Sequence, residues 1–193
     1  MVGMSGSRRQ VPNDPDRRSR ILEAALDVIA EVGVHKTTHR RIAARAEVPL
    51  GSLTYYFSSL EDILEQAFES LSVEMSARYR RSLEEAAGPA EAEAAVVDLI
   101  CGAEYAVPRE MILLFEMYAY GNHNAAVAEL ARTWLLRSRD SLTLHFSPDV
   151  ARALDALVEG WPMHRTFEHR PLDRSLVAAT VHAVVVGLQA REG

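Results

Sequence analysis

The chain has 193 residues, enough for one or two small domains with a proper buried core. Hydrophobic residues make up 48% and charged residues 25%, which excludes wholesale disorder, and no run approaches the roughly 18 apolar residues that a membrane span requires. The net charge of −6 argues by itself against a nucleic-acid partner, but it is unevenly placed: residues 1–60 hold nine Lys/Arg against six Asp/Glu, the remainder twelve against twenty-one.

In chain order, residues 1–13 are polar and glycine-rich and are expected to form a flexible tail. Two arginines without a following apolar run do not make a secretory signal there. Asp14-Pro15 is a good helix opening, and Ile21, Leu22, Ala25, Val28, Ile29 and Val32 then repeat at helical spacing up to Gly33, a natural stop. Thr38 caps a second short helix, His39 to about Ala46, and a third runs from about Leu50 to Phe57. A fourth starts near Ser59, with Glu61 and Asp62 in its first turn, and extends to about Leu83. After Gly88-Pro89, helices are expected over Ala90–Val107, Pro108 to the turn at Gly121–Asn124, Ala125–Phe146, Pro148–Phe167 and from Asp173 to about Gln189, with a kink at Pro162. Val184-Val185-Val186 is β-branched but lies in an alanine-rich helical frame. The fold class is therefore all-α: an N-terminal three-helix unit over 14–58 and a larger helical body over 59–193. Cys101 is the sole cysteine, so no internal disulfide can form, which suits a reducing cytoplasm.

The three-helix unit carries the functional signal. Ile21, Leu22, Ala25, Ile42, Ala43, Val48, Leu53 and Phe57 form its expected core. A short helix, a tight turn and a second short helix make a helix-turn-helix, which places one helix in the major groove of double-stranded DNA. Leu50, Gly51, Ser52, Thr54, Tyr55 and Tyr56 lie on or near the outer face of the third helix. Hydroxyls there reach base edges or phosphates, Leu50 or the Thr54 methyl can meet a thymine methyl, and Gly51 permits close approach of a backbone. Arg40 can reach a base or phosphate; Thr38 is first a cap and second a phosphate contact. The competing reading makes one of the two tyrosines a packing residue and Arg45 part of an ordinary solvated face.

Residues 15–64 resemble the N-terminal domain of the TetR family of transcriptional regulators. The resemblance rests on Ile21-Leu22, Ala24-Ala25, Ile29, Glu31, Gly33, Thr37-Thr38, Ile42-Ala43, Ala46, Val48, Gly51, Leu53, Tyr55-Tyr56-Phe57, Glu61 and Ile63-Leu64. It implies a dimeric, ligand-responsive repressor that binds a palindromic operator, with an effector pocket in the body and no catalytic role. The chain departs from the family pattern at Glu47, where glycine is usual in the turn, and at Pro49, Leu50 and Leu60. Glu47 is thus expected to need an unusual backbone conformation.

In the body, Tyr79, Tyr105, Met111, Phe115, Tyr118 and Trp134 can line a pocket for an apolar or aromatic small molecule, although such residues also fill cores. Glu104, Arg109 and Glu116 could orient a polar group on that ligand. The resemblance pairs the last two long helices with their copies in a second subunit, and Leu154, Leu157, Trp161, Val181, Val185 and Leu188 supply apolar faces for such a homodimer. No cofactor, metal site or catalytic constellation is expected; His164 and His169 near Glu168 are too loosely spaced to read as metal ligands. The alternative reading is a helical enzyme or small-molecule carrier in which the N-terminal unit is only structural.

Overall fold

The computed structural model describes residues 16–191, so the expected tail over 1–13 and the Asp14-Pro15 opening lie outside the described residues. Nine α-helices, one 3-10 turn and no strand are present among the described residues. The helices are α1 (Arg17–Val32), α2 (His39–Arg45), α3 (Leu50–Tyr56), α4 (Leu60–Glu84), α5 (Pro89–Cys101), α6 (Pro108–Gly121), α7 (Ala125–Leu142), α8 (Pro148–Glu168) and α9 (Arg174–Gln189); the 3-10 turn is Val34–Lys36.

Local chemistry accounts for most of these boundaries. α1 ends at Gly33, whose φ of 79° is left-handed and whose N–H bonds the Ile29 carbonyl at 2.8 Å. The Thr38 hydroxyl caps α2 by accepting from Arg41 N–H at 3.3 Å, and Ser59 caps α4 by accepting from Asp62 N–H at 3.1 Å. Asp62 in turn accepts from the Ser58 N–H at 2.8 Å, which ties the end of α3 to the start of α4. These bonds hold the Asp62 carboxyl below the usual carboxylate range. Asp173 caps α9 through the N–H groups of Ser175 and Leu176.

Ile21, Leu22, Ala25, Ile42, Ala43, Leu53 and Phe57 are buried together, as expected from their spacing; Val48 is half-buried at the edge. α4 is 25 residues long, or about 37 Å, and passes from this unit into the body, where it packs on α7. α5 lies against α8 and α9, and α7 against α6 and α8. A single hydrophobic cluster joins both parts, from Ile21 on α1 to Val185 on α9.

Two expected boundaries move, those of α5 and α7. α5 ends at Cys101, not near Val107. A Cβ at Gly102 would stand 2.4 Å from the Asp98 carbonyl oxygen, so the chain turns there on a glycine, and Pro108 disfavours a helical Val107. Arg165 holds the irregular stretch by donating to the carbonyls of Ile100, Gly102 and Ala106, at 3.3, 3.3 and 2.6 Å. Tyr105 therefore sits on a loop. α7 stops at Leu142, four residues short of Phe146, and the following turn is pinned by His145 against the Leu83 carbonyl at 2.7 Å. α8 continues past the buried Pro162 to Glu168.

Candidate nucleic-acid interface and effector cavity

α3 is held down on one side only. Leu53 is fully buried and Phe57 nearly so, four residues apart on one helical face. The opposite face is open: Tyr55 is 79% exposed, Leu50 is 47% exposed, and Gly51 and Thr54 stand beside them. Nothing lies within 4 Å of a Cβ built on Gly51. The Thr54 hydroxyl donates back to the Gly51 carbonyl at 3.2 Å. Tyr56 and Ser52 are half-buried; the Tyr56 ring packs against the core and meets the Tyr55 ring edge-on, with centroids 4.9 Å apart. Tyr56 is thus a prop beneath an outward Tyr55.

At the start of α2, the cap residue Thr38 and Arg40 are both exposed. Arg45 is tied up in the protomer, paired with Glu31 and, at 3.6 Å, with Asp27. In the turn between α2 and α3, Glu47 has φ 54°, the left-handed conformation that its place in the turn predicts.

The body holds an apolar cavity of about 410 Å³ between α6, α7 and α8, open on one side. Tyr105, Met111, Phe115, Tyr118 and Trp134 all line it, with Leu114, Val158 and Met163. Tyr79 does not; it is buried behind the wall, its ring 5.7 Å from that of Tyr105. Arg109 and Glu116 also face away from the cavity. Arg109 on α6 donates to Asp27 at 2.7 Å and to Glu23 at 2.6 Å on α1, and Glu116 accepts the Val34 N–H at 2.8 Å. The same helix therefore lines the cavity and grips the N-terminal unit. Glu104 lies instead on a wider groove of about 570 Å³, between α4 and α5, walled by charges of both signs.

A group that the sequence reading missed is Glu159. It lines the cavity and accepts from Trp134 Nε1–H at 2.9 Å and from the Tyr118 hydroxyl at 2.8 Å. Burial pushes its carboxyl up from the ordinary carboxylate value, and burial likewise raises the Tyr118 hydroxyl. The signal was present in the pattern: Glu159 follows Val158 and stands four residues after Asp155, beside the buried stripe of α8.

On the last two helices, Leu154, Val181 and Val185 are buried in the protomer's own core and cannot serve a second subunit. They belong to the inward stripes of α8 and α9. Leu157, Trp161 and Leu188 are half-buried, and the outward apolar residues are Phe167, Leu176 and Val186. No helix among the described residues is long and apolar enough to cross a membrane, and no cluster of three or more His, Cys, Asp and Glu side chains is gathered among them.

Comparison with known proteins agrees with this geometry. Residues 21–67 match the family model for bacterial regulatory proteins of the tetR family. SCO7518 from Streptomyces coelicolor A3(2), a provisionally assigned transcriptional regulator of solved structure, is 41% identical, with 89% of this chain and 99% of that one aligned at a TM-score of 0.81. The multidrug binding protein EbrR, solved with malachite green, is 27% identical over 89% of this chain and 99% of its own, at a TM-score of 0.72. The transcriptional regulator BetI of Klebsiella pneumoniae is 25% identical over 84% of this chain and 88% of its own. With an exposed α3 on a buried frame and this kinship along nearly its whole length, the chain belongs to the TetR family and is a DNA-binding transcriptional regulator, not an enzyme.

Proposed function

We propose that the chain is a ligand-responsive repressor that binds a palindromic operator as a homodimer. The reading head is assigned to residues 14–58 and the effector and dimerisation body to 59–193. The outward face of α3 carries the reading: an exposed Leu50, Gly51, Thr54 and Tyr55 opposite a buried Leu53 and Phe57. Such a face is left open by the described residues and has the size and chemistry of a major-groove contact. Thr38 and Arg40 stand ready for the flanking phosphates, Tyr55 reaches outward, and Ser52 and Tyr56 contribute their exposed edges.

The dimer supplies two heads spaced by about 34–36 Å, one turn of DNA. Its interface is assigned to the outer faces of α8 and α9, where Leu157, Trp161 and Leu188 are joined by Leu176 and Val186. The effector is assigned to the apolar cavity, whose volume suits a small molecule and whose wall matches the kind of ligand that EbrR carries. α6 is the link. An effector against Met111, Phe115 and Tyr118 bears on the helix whose Arg109 and Glu116 grip α1 and its following turn. The effector moves the equilibrium between binding and non-binding head spacings by its difference in affinity for the two.

Fluorescence anisotropy on genomic fragments at several salt concentrations tests the reading. Specific, salt-sensitive binding is expected. Arg40→Ala should lower the salt slope by about one, and Tyr55→Phe should weaken binding by about 1 kcal/mol, both without a change in melting temperature. If no fragment binds selectively and both variants unfold, the N-terminal unit is structural only.

A further inference from the structure

The cavity between α6, α7 and α8 is walled by apolar and aromatic side chains and holds one charged group, Glu159. Its carboxylate oxygens take two hydrogen bonds, from the Trp134 indole and the Tyr118 hydroxyl, and both donors are neutral. No Lys or Arg among the described residues pairs with Glu159. Arg139 pairs with Asp155 at 3.0 Å, and Arg165 serves the carbonyls of Ile100, Gly102 and Ala106. A carboxylate in an apolar wall without a counter-ion is held at a desolvation penalty that two neutral hydrogen bonds only partly offset. A second polar group is also left over: the Tyr105 hydroxyl is buried without a hydrogen-bond partner among the described residues, on a side chain that lines the same cavity.

The rings around this carboxylate point the same way. Tyr105, Phe115, Tyr118 and Trp134 present π-faces, which attract positive charge and stack on flat ring systems. An anionic ligand would meet Glu159 as a like charge. A neutral hydrocarbon would bury Glu159 more deeply and give it no partner. A flat cation satisfies the carboxylate and the rings together, and an amine N–H on it also gives the Tyr105 oxygen a donor.

We infer that the effector class is an aromatic organic monocation and that Glu159 is the residue that selects it. The inference rests on the reading of this cavity as the effector site. The ring system lies among the aromatic side chains, and the charge faces the Glu159 carboxylate, which Trp134 and Tyr118 hold in place.

Isothermal titration of the full chain at pH 8 with three acridines of nearly one shape separates charge from shape. These are 9-aminoacridine, a cation at that pH; acridine, neutral; and acridine-9-carboxylate, an anion. The expected order is the cation at least tenfold tighter than the neutral ring, and no measurable binding of the anion. Glu159→Gln is expected to weaken 9-aminoacridine at least tenfold while acridine stays within threefold. The comparison in the parent protein needs no variant, so it stands even if Glu159→Gln fails to fold. Acridine binding as tightly as 9-aminoacridine, or a Glu159→Gln protein that keeps its preference for the cation, overturns the inference and leaves the cavity an aromatic site without charge selection. No heat from any of the three overturns both the inference and the assignment of the cavity to aromatic effectors.

Discussion

Gly51→Ala separates the stability of α3 from its use. Gly51 is the second residue of a seven-residue helix, its backbone is not left-handed, and a methyl group placed on it meets nothing within 4 Å. In a helix interior alanine is favoured over glycine by about 0.8–1.0 kcal/mol, and near the first turn about half of that is expected. The variant should therefore be more stable by about 0.5 kcal/mol. For a chain of this size that raises the melting temperature by about 1–2 °C. Binding should move the other way. If the outer face of α3 lies against base edges, the new methyl pushes the backbone from the groove floor and disturbs contacts worth about 1–3 kcal/mol, a loss of roughly 5- to 160-fold. Thermal melting and anisotropy with a selected operator fragment, on the same preparation, read both effects. A lower melting temperature would show that the space beside Gly51 is not open. Unchanged operator affinity would show that DNA does not approach α3 at this residue.

Three further outcomes follow from the same geometry. Glu47→Gly relieves a left-handed φ of 54° that disfavours a side chain by about 1–2 kcal/mol, while glycine loosens the unfolded chain by about 0.4–1 kcal/mol, so urea denaturation should show a net gain of about 0.5–1 kcal/mol. Asp155→Ala removes a buried carboxylate that joins α8 to Ser138 and Arg139 of α7; it should lower stability by about 2–4 kcal/mol, seen as a fall in the urea midpoint without a change of slope. Glu159 has its pKa raised by burial, so the folded state holds that proton more tightly than the unfolded one. Its contribution is most favourable below the unfolded carboxylate pKa and is lost as pH rises through the raised folded value. Glu159→Gln should remove that decline and be at least as stable as the parent at pH 7 in thermal melts; a clear loss at pH 7 would mean that the bonds from Trp134 and Tyr118 outweigh desolvation.

Much of the fold was legible because helix ends are written in their immediate neighbours. Gly33, Thr38, Ser59, Pro108, Pro148 and Asp173 each mark a boundary through a bond or a dihedral within four residues. The early end of α5 was not legible, since it depends on an arginine 63 residues beyond Gly102. The outer face of α3 could be read because a seven-residue helix with Leu53 and Phe57 inward leaves little choice for Leu50, Gly51, Thr54 and Tyr55. α9 gave no such choice: it is apolar on nearly every side, so periodicity could not tell the inward Val181 and Val185 from the outward Leu176 and Val186. Of the six residues named from aromatic and methionine content, five line the cavity and Tyr79 lies behind its wall. Glu159 escaped because a charged residue on a helix reads first as a solvated one.

Where the chain departs from what folding alone would choose, the departures gather at faces that meet something else. A glycine stands in an exposed helix with no neighbour to require it, and a tyrosine lies 79% exposed beside it, both on α3. A carboxylate without a counter-ion and a tyrosine hydroxyl without a partner share one apolar cavity. The helical glycine and the two uncompensated polar groups lower the stability of the isolated protomer, and on the proposed readings a partner of definite chemistry compensates them: a groove floor at α3, a cation with an N–H donor in the cavity. Glu47 does not fit this pattern: nothing in the structure explains why glycine does not stand there. α6 joins the two departures physically, with Met111, Phe115 and Tyr118 on the cavity and Arg109 and Glu116 on the reading unit. On the proposed reading, a cation bound at Glu159 bears, through the existing Tyr118 hydrogen bond, on the helix that anchors α1, and the uncompensated groups in the cavity are the source of the differential affinity that release from DNA requires.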